Sequence, residues 1–270
     1  MSPDALASAF RAACRAELDA LKPGNVHRFS DGHGMVVAQF EAAADAAAPF
    51  LADPARPLGA RIEGAVLASL AAAGCNTNLG IVLLCAPLAA AAQAGGALRT
   101  ALAQVLAGTT IADAAAAFRA IAAANPGGLG RADAHDVAAA PAITLRAAMA
   151  AAAGRDRIAR QYITDFADLF EIGLPRFDEA ASAARAEAVH MAFLAAFPDS
   201  HIGRKFGPER AEAVQLEAQA VNRAVDWSAP DTQRRVPLAI FDASLKARGL
   251  NPGTTADLTV ATLFAAELSR

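Results

Sequence analysis

The sequence is poor in the residues that build sheets, cross-links or nucleic-acid surfaces. Aromatic residues are only 6% of its 270 residues, and β-branched residues are too sparse among the alanines to give the alternating pattern of half-buried strands. A sheet-based fold is therefore excluded and an all-α one expected. Charged residues, at 19%, fall below the roughly 25% of an average soluble chain. Lys plus Arg at 24 against Asp plus Glu at 27 leave a net charge of -3, with no dense basic block to follow a phosphate backbone, so nucleic acid is not an expected partner. The three cysteines, Cys14, Cys75 and Cys85, have spacings that match neither a disulfide framework nor a CxxC zinc site, which points to a reducing cytoplasm. The opening MSPDALASAFRAAC has no basic segment ahead of an apolar core and does not read as a secretory signal. The most apolar stretch, Gly80 to Ala94, contains Pro87 and is shorter than the roughly 20 residues that cross a bilayer. It reads as a buried helix, with no membrane partner.

What the sequence has is alanine, within a hydrophobic content of 55%, and this suits close-packed helices. At about 150 residues per domain the length allows one or two domains. ADPARP and NPGGLGRADAHD are only loop-sized, so no segment qualifies as a linker and residues 1–270 are expected to form one domain. Without a recurring period of marker residues, a bundle is expected rather than a solenoid. Ser2 and Pro3 suit the start of a first helix whose stripe Phe10, Ala13, Glu17 and Leu21 runs until Lys22-Pro23-Gly24 stops it. Further helices are expected over about 38–50, 57–73, 79–94, 97–107, 110–124, 139–152, 155–171, 176–197, 208–225, 232–248 and 255–268.

Four polar loops interrupt these helices. KPGNVHRFSDGH gathers Lys22, Asn25, His27, Arg28, Asp31 and His33 in one short segment. Glu63 lies on a helix followed by GCNTNLG, where Asn76 or Thr77 can cap the next helix and its free N–H groups could hold a phosphate oxygen together with Asn78. Glu63 shares a helix side with Leu67 and Leu70, and a carboxylate there requires a partner, a metal or an altered pKa. In PDSHIGRKFG, Asp199 and His201 sit beside Arg204 and Lys205, which reads either as a polyphosphate site or as a charged inter-helix loop. In NPGTTADL, Thr254 and Asp257 stand at the spacing of a capping box, so a structural role is the stronger reading there. Cys75 and His190 read as structural.

Together these four motifs, in order over residues from about 10 to 268, resemble the triphosphoribosyl-dephospho-CoA synthases. The matching segments are Lys22-Pro23-Gly24-Asn25, Glu63 ahead of Asn76-Thr77-Asn78-Leu79-Gly80, Asp199-Ser200-His201, and Asn251 to Leu258. The resemblance implies a cytoplasmic, all-helical transferase that uses ATP as ribosyl donor, expels adenine and joins the ribose triphosphate through C1 to a hydroxyl of dephospho-CoA. Such chemistry requires a metal for the triphosphate, an acid for the departing base and a base for the attacking hydroxyl. A carboxylate near the oxocarbenium-like carbon also helps. The resemblance supplies Glu63, Asp199 and Glu17 as catalytic carboxylates and Glu63, Asp199 and Asp257 as ligands of Mg2+. For substrate binding it supplies Lys22, Asn25, His27, Asn76, Thr77 and Asn78 from the first two loops, with His201, Arg204, Lys205 and Thr254 from the others. The partners implied are a nucleotide or phosphoribosyl donor and a small hydroxyl acceptor, with a homodimer as a possible assembly.

Leu79 stands where the family pattern has a lysine, RKFG replaces RGG, and NPGTTADL replaces SPGGSADL, so acceptor and donor are open. GGLGRADAHDV and QYITDF resemble a branch from archaea and from bacteria that use tetrahydromethanopterin, which implies (phospho)ribosyl transfer in biosynthesis of that cofactor, from ATP or phosphoribosyl pyrophosphate. Two other classes compete. The pairs Asp31/His33, Asp133/His135 and Asp199/His201, with the doublet His135-Asp136, are similar to those of metal-dependent helical phosphohydrolases. A non-catalytic helical interaction protein would explain the alanines but not the four polar loops. The transferase reading predicts that Glu17, Lys22, His27, Glu63, Asn76, Asn78, Asp199 and Asp257 converge on one cleft, and that Glu63→Gln abolishes turnover while sparing the fold.

Overall fold

Alanine-rich stripes with leucine or phenylalanine at every third or fourth position fold, in a computed structural model that describes residues 1–126, 137 and 139–269, into fourteen α-helices without a strand. In chain order these are α1 (Pro3–Leu18), α2 (Val37–Ala52), α3 (Leu58–Ala73), α4 (Leu79–Ala94), α5 (Leu98–Ala107), α6 (Ile111–Ala124) and α7 (Leu145–Ala152). Then follow α8 (Arg157–Ile163), α9 (Leu174–Glu179), α10 (Arg185–Ala196), α11 (Ser200–Phe206), α12 (Pro208–Ala224), α13 (Asp231–Ala247) and α14 (Gly253–Leu268). The all-α expectation holds.

Two helices organise the rest. α4 and α14 are apolar all round and buried along most of their length, as a helix without a polar face must be. The larger core forms around them, with Leu84, Leu88, Phe264 and Phe10 fully enclosed and Phe10 edge-on to Phe264. A smaller core of Met191, Leu194, Ile202, Leu238 and Leu245 joins α10, α11 and α13. Among the described residues no single helix is long and apolar enough to cross a membrane.

Several expected boundaries move, each for a local reason. The first helix starts on the Ser2 cap but ends at Leu18, not Leu21, and Leu21 turns into the smaller core. The expected 155–171 helix breaks after Ile163, because Asp165 and Phe166 take left-handed backbone at φ 49° and 59°. There Arg146 Nε donates to the Tyr162 carbonyl at 3.1 Å and Phe166 is buried. The expected 176–197 helix is interrupted between α9 and α10 by a short 3-10 turn at Ser182–Ala184. PDSHIGRKFG, read as a loop, contains α11, which Asp199 caps. The expected capping box in NPGTTADL is absent: α14 begins at Gly253 behind Pro252, and its Thr255 N–H is satisfied by Asp199 of another segment. The segment 127–136, with Asp133, His135 and Asp136, lies outside the described residues.

Leu84 is fully buried and does not line the cavity described below. Leu84→Ala is expected to cost about 2–5 kcal/mol in denaturant unfolding, while ligand affinity of the folded fraction stays at the wild-type value. A loss of affinity at full folding would show that α4 packing tunes the site.

Candidate active site

The site begins where the Lys22-Pro23-Gly24-Asn25 segment meets Asn251-Pro252-Gly253. Lys22 is completely buried; its ammonium pairs with Glu17 and donates to Asn25 Oδ1 at 3.0 Å and the Val26 carbonyl at 2.8 Å. Burial pushes the Glu17 carboxyl up and the Lys22 ammonium down, against their mutual attraction. Asn25 Nδ2 in turn donates to Asn251 Oδ1 at 2.8 Å. Gly24 has φ +80°, and a β-carbon there would lie 2.8 Å from both the Leu250 carbonyl oxygen and Pro252 Cδ. Only glycine permits this close crossing of the two loops.

Three helix N-termini are tied together around the same point, and a fourth, that of α4, faces the same cavity. Asp199 is nearly inaccessible; its Oδ1 accepts from the His201 and Ile202 N–H groups at 2.9 and 3.0 Å, capping α11. Its Oδ2 accepts from the Thr255 N–H and hydroxyl, both at 2.8 Å, joining α11 to α14. Ser200 Oγ accepts from the Arg157 N–H at 3.2 Å and shares a hydrogen bond with Thr254 Oγ1 at 3.0 Å, which adds α8. Asp156 caps α8 through Oδ1 and accepts from Arg204 Nη1 at 2.7 Å through Oδ2. Asn76 Oδ1 accepts from the Leu79 N–H at 3.2 Å at the start of α4, and Asn78 Nδ2 donates to Ser69 Oγ.

These termini face a cavity of about 540 Å3, within the range of small-molecule sites. Glu17, Asn25, Asp156, His201, Arg204 and Asp257 are part of its polar lining, as are Asn76, Thr77, Asn78 and Thr254. The starts of the long helices α4 and α14 turn the positive ends of their macrodipoles toward this lining, which makes it attractive to an anion. Arg204 keeps a buried Nε without a partner, and Thr77 Oγ1 is likewise unpartnered. Burial, with Arg204 and Lys205 nearby, lowers the His201 pKa to about 4, so its imidazole is neutral at pH 7.

Asp257 differs from its neighbours. Among the described residues its carboxylate accepts no hydrogen bond and makes no ion pair, and Oδ2 lies where a β-carbon on Gly80 would stand. Burial raises its pKa well above the usual carboxylate value, and the charges of Asp199, Glu17 and Asp156 add to the shift against a smaller opposing effect of Arg204. A carboxylate in this state requires a proton or a cation. Among the described residues no three His, Cys, Asp or Glu side chains gather to hold a metal on their own.

The structure therefore brings most sequence-derived candidates together, but not all. Lys22 stands behind Glu17 and Asn25 rather than in the cavity wall. Asp199 also lies behind the wall, with both oxygens occupied. His27 is buried further back, 3.4 Å from Asp242 Oδ2 and from Lys246 Nζ, and burial lowers its pKa. Lys205 faces away, over the Phe206 ring. Glu63 does not line the cavity, contrary to expectation: Arg119 holds both its oxygens at 2.6 and 2.7 Å. The buried face of α3 is Ile62, Val66 and Ser69, so Glu63 lies beside it, and Leu67 is 47% exposed. Cys75 is half-buried, with Gln39 Nε2 3.5 Å from its sulfur. His190 is fully enclosed on α10. Sequence reasoning missed Asp156 and Arg155 because they fell inside one expected long helix, although Asp156 has the residue type of an N-cap.

Comparisons with known proteins agree with one another. Residues 3–270 match the CitG family model, ATP:dephospho-CoA triphosphoribosyl transferase. A solved structure from Archaeoglobus fulgidus, provisionally assigned as a triphosphoribosyl-dephospho-CoA synthase, is similar over 83% of this chain and 96% of its own, at 27% identity and a TM-score of 0.67. No curated protein matches the chain.

Two substitutions separate the carboxylates. A group whose pKa is raised on folding favours the folded state at low pH, and the advantage disappears as pH rises through the raised value. Ligand-free Asp257→Asn is thus expected to melt above the wild type at pH 8, the difference closing below about pH 4. An equal or lower melting temperature at pH 8 would mean that Asp257 already has a partner. Glu63→Gln disturbs only a solvent-facing pair with Arg119. It should leave both turnover and melting nearly unchanged, and loss of turnover in a steady-state assay would return Glu63 to the site.

Proposed function

The chain belongs to the ATP:dephospho-CoA triphosphoribosyl transferase family, and on that premise we propose that it transfers a ribosyl phosphate group from Mg-ATP or phosphoribosyl pyrophosphate to the hydroxyl of a small acceptor. As a transferase of the triphosphoribosyl-dephospho-CoA synthase type it would act at ribose C1. The bond from C1 to the leaving base, or to pyrophosphate, breaks as the bond to the acceptor oxygen forms. The observation that carries this reading is one cavity that faces four helix N-termini, Arg204 and Asp257, whose carboxylate has no partner among the described residues.

The N–H groups opening α4 and α14, with Arg204 and Arg155, suit the donor's phosphate oxygens. Asp257 would suit Mg2+, because among the described residues its carboxyl accepts no hydrogen bond, and a cation would take the place of the proton that the surrounding like charge favours. That ion takes one or two carboxylates and completes its shell with phosphates and water. When bound, it would neutralise the charge of the phosphate chain. Glu17 suits the role of general base toward the acceptor hydroxyl: it reaches the cavity, burial raises its proton affinity, and Lys22 fixes its position. The remaining negative charge near C1 would stabilise an oxocarbenium-like transition state.

The acceptor could be dephospho-CoA or an alcohol in tetrahydromethanopterin biosynthesis. Of the segments that suggested the second, QYITDF is built into the fold, with Tyr162 Oη donating to the Leu83 carbonyl at 2.6 Å, and GGLGRADAHDV falls almost wholly outside the described residues. The choice therefore rests on assay. Incubation with Mg-ATP and each acceptor, followed by chromatography, is expected to show free adenine that appears only with the correct acceptor and is lost in Asp257→Asn. Release of ADP, AMP or phosphate in place of adenine would refute ribosyl transfer from ATP. Pyrophosphate release from phosphoribosyl pyrophosphate would identify the other donor.

A further inference from the structure

The lining that α6 and α7 give the cavity has a different chemistry. The α6 residues Phe118, Ile121 and Asn125, the last being its C-cap, lie three and four positions apart and all reach the cavity. Met149 of α7 and Phe40 of α2 complete an apolar enclosure in which Phe118 and Met149 are 6% and 7% exposed. A phosphate would be poorly satisfied there, since Phe40, Phe118, Ile121 and Met149 offer no donor and Asn125 carries no charge. A flat ring would be, because aromatic and thioether side chains contact both faces and edges of such rings favourably.

Asn125 gives this enclosure one polar edge. Its backbone takes the left-handed conformation at φ 40°, and its N–H is bonded to the Ile121 carbonyl at 3.0 Å. Among the described residues its side-chain amide has no partner. An amide presents a donor and an acceptor side by side, which matches the hydrogen-bonding edge of a purine-like heterocycle.

We infer that the apolar lining contributed by α6 and α7 is a subsite for a planar heteroaromatic ring, with Asn125 reading the ring's edge. The inference rests on the transferase reading, in which the ring belongs either to the base of the donor or to the acceptor. It places ring recognition and phosphate recognition on separate helices, so the two can be broken separately.

Calorimetric titration of the full chain with adenosine, ATP, dephospho-CoA and tripolyphosphate tests this. Asn125→Gly removes the amide and keeps the left-handed backbone accessible. It is expected to weaken adenosine by roughly tenfold or more and to leave tripolyphosphate unchanged. If ATP weakens in parallel, the donor's base occupies the subsite. If dephospho-CoA weakens while ATP does not, the acceptor's ring does. Ile121→Glu, which sets a charge against the ring, should give the same pattern; because Ile121 also packs against the main core, its affinities are compared at a temperature where the variant is fully folded. Unchanged ring affinities in both variants, or an equal loss of tripolyphosphate, overturn the inference, as does a wild type that binds neither adenosine nor dephospho-CoA. A wild type that binds adenosine through Asn125 but releases no adenine from ATP with any acceptor would keep the subsite and remove the transferase reading.

Discussion

Carboxylates gathered out of water around one cavity are the constraint on which this structure depends. Burying Glu17, Asp199 and Asp257, with the first two close enough to raise the proton affinity of the third, is unfavourable unless each finds compensation. Glu17 has the Lys22 ammonium and Asp199 has four N–H and O–H donors, but among the described residues Asp257 has neither. A helical protein of mostly alanine and leucine could readily have filled this position with an apolar residue. Instead the ligand-free cavity carries charge that a cation and an anionic substrate together would balance, and stability is exchanged for affinity at that place.

The compensated carboxylates hold the uncompensated one in place. Asp199 bonds to Thr255, two residues before Asp257, so the start of α14 cannot shift without breaking the cap of α11. Ser200, Thr254 and Arg157 join the same network, and the Gly24 crossing fixes the loop that carries Asn25. Few of these side chains can contact a substrate. Their effect is positional: the donors that face the cavity are oriented before any ligand arrives, which is the condition for strong electrostatic stabilisation.

Most of the helices could be read from the sequence because their signals are local. Ser2 caps α1 as its residue type suggests, and the spans from α2 to α6 fall within two residues of their expected limits. The failures are long-range. Thr254 and Asp257 have capping-box spacing, yet α14 begins earlier, at Gly253; Asp199, more than fifty positions away, takes the Thr255 N–H, and Asp257 lines the cavity instead of capping the helix. Glu63 failed for a related reason. Helical spacing places it beside Leu67 and Leu70, but it cannot show that Ile62, Val66 and Ser69 form the buried face or that Arg119 of α6 waits on the other side. The apolar lining of the cavity left no signal, because Phe118, Met149 and Phe40 look like any core residues until the helices are assembled.

The division of the cavity also bears on why such a site would transfer a group and not hydrolyse it. Water competes with any acceptor hydroxyl at an activated ribose carbon, and a site favours transfer only if the general base meets the acceptor in a position from which bulk water is excluded. Glu17 is 4% exposed and Lys22 behind it is inaccessible, so the proposed base opens only toward the cavity. His201, held neutral beside Arg204, adds no competing charge to the polar lining. A ring seated against Phe118 and Met149 would cover the apolar lining. The same burial that raises the proton affinity of Glu17 thus also limits the nucleophiles that can reach it, so strength of the base and choice of acceptor follow from one arrangement of helices.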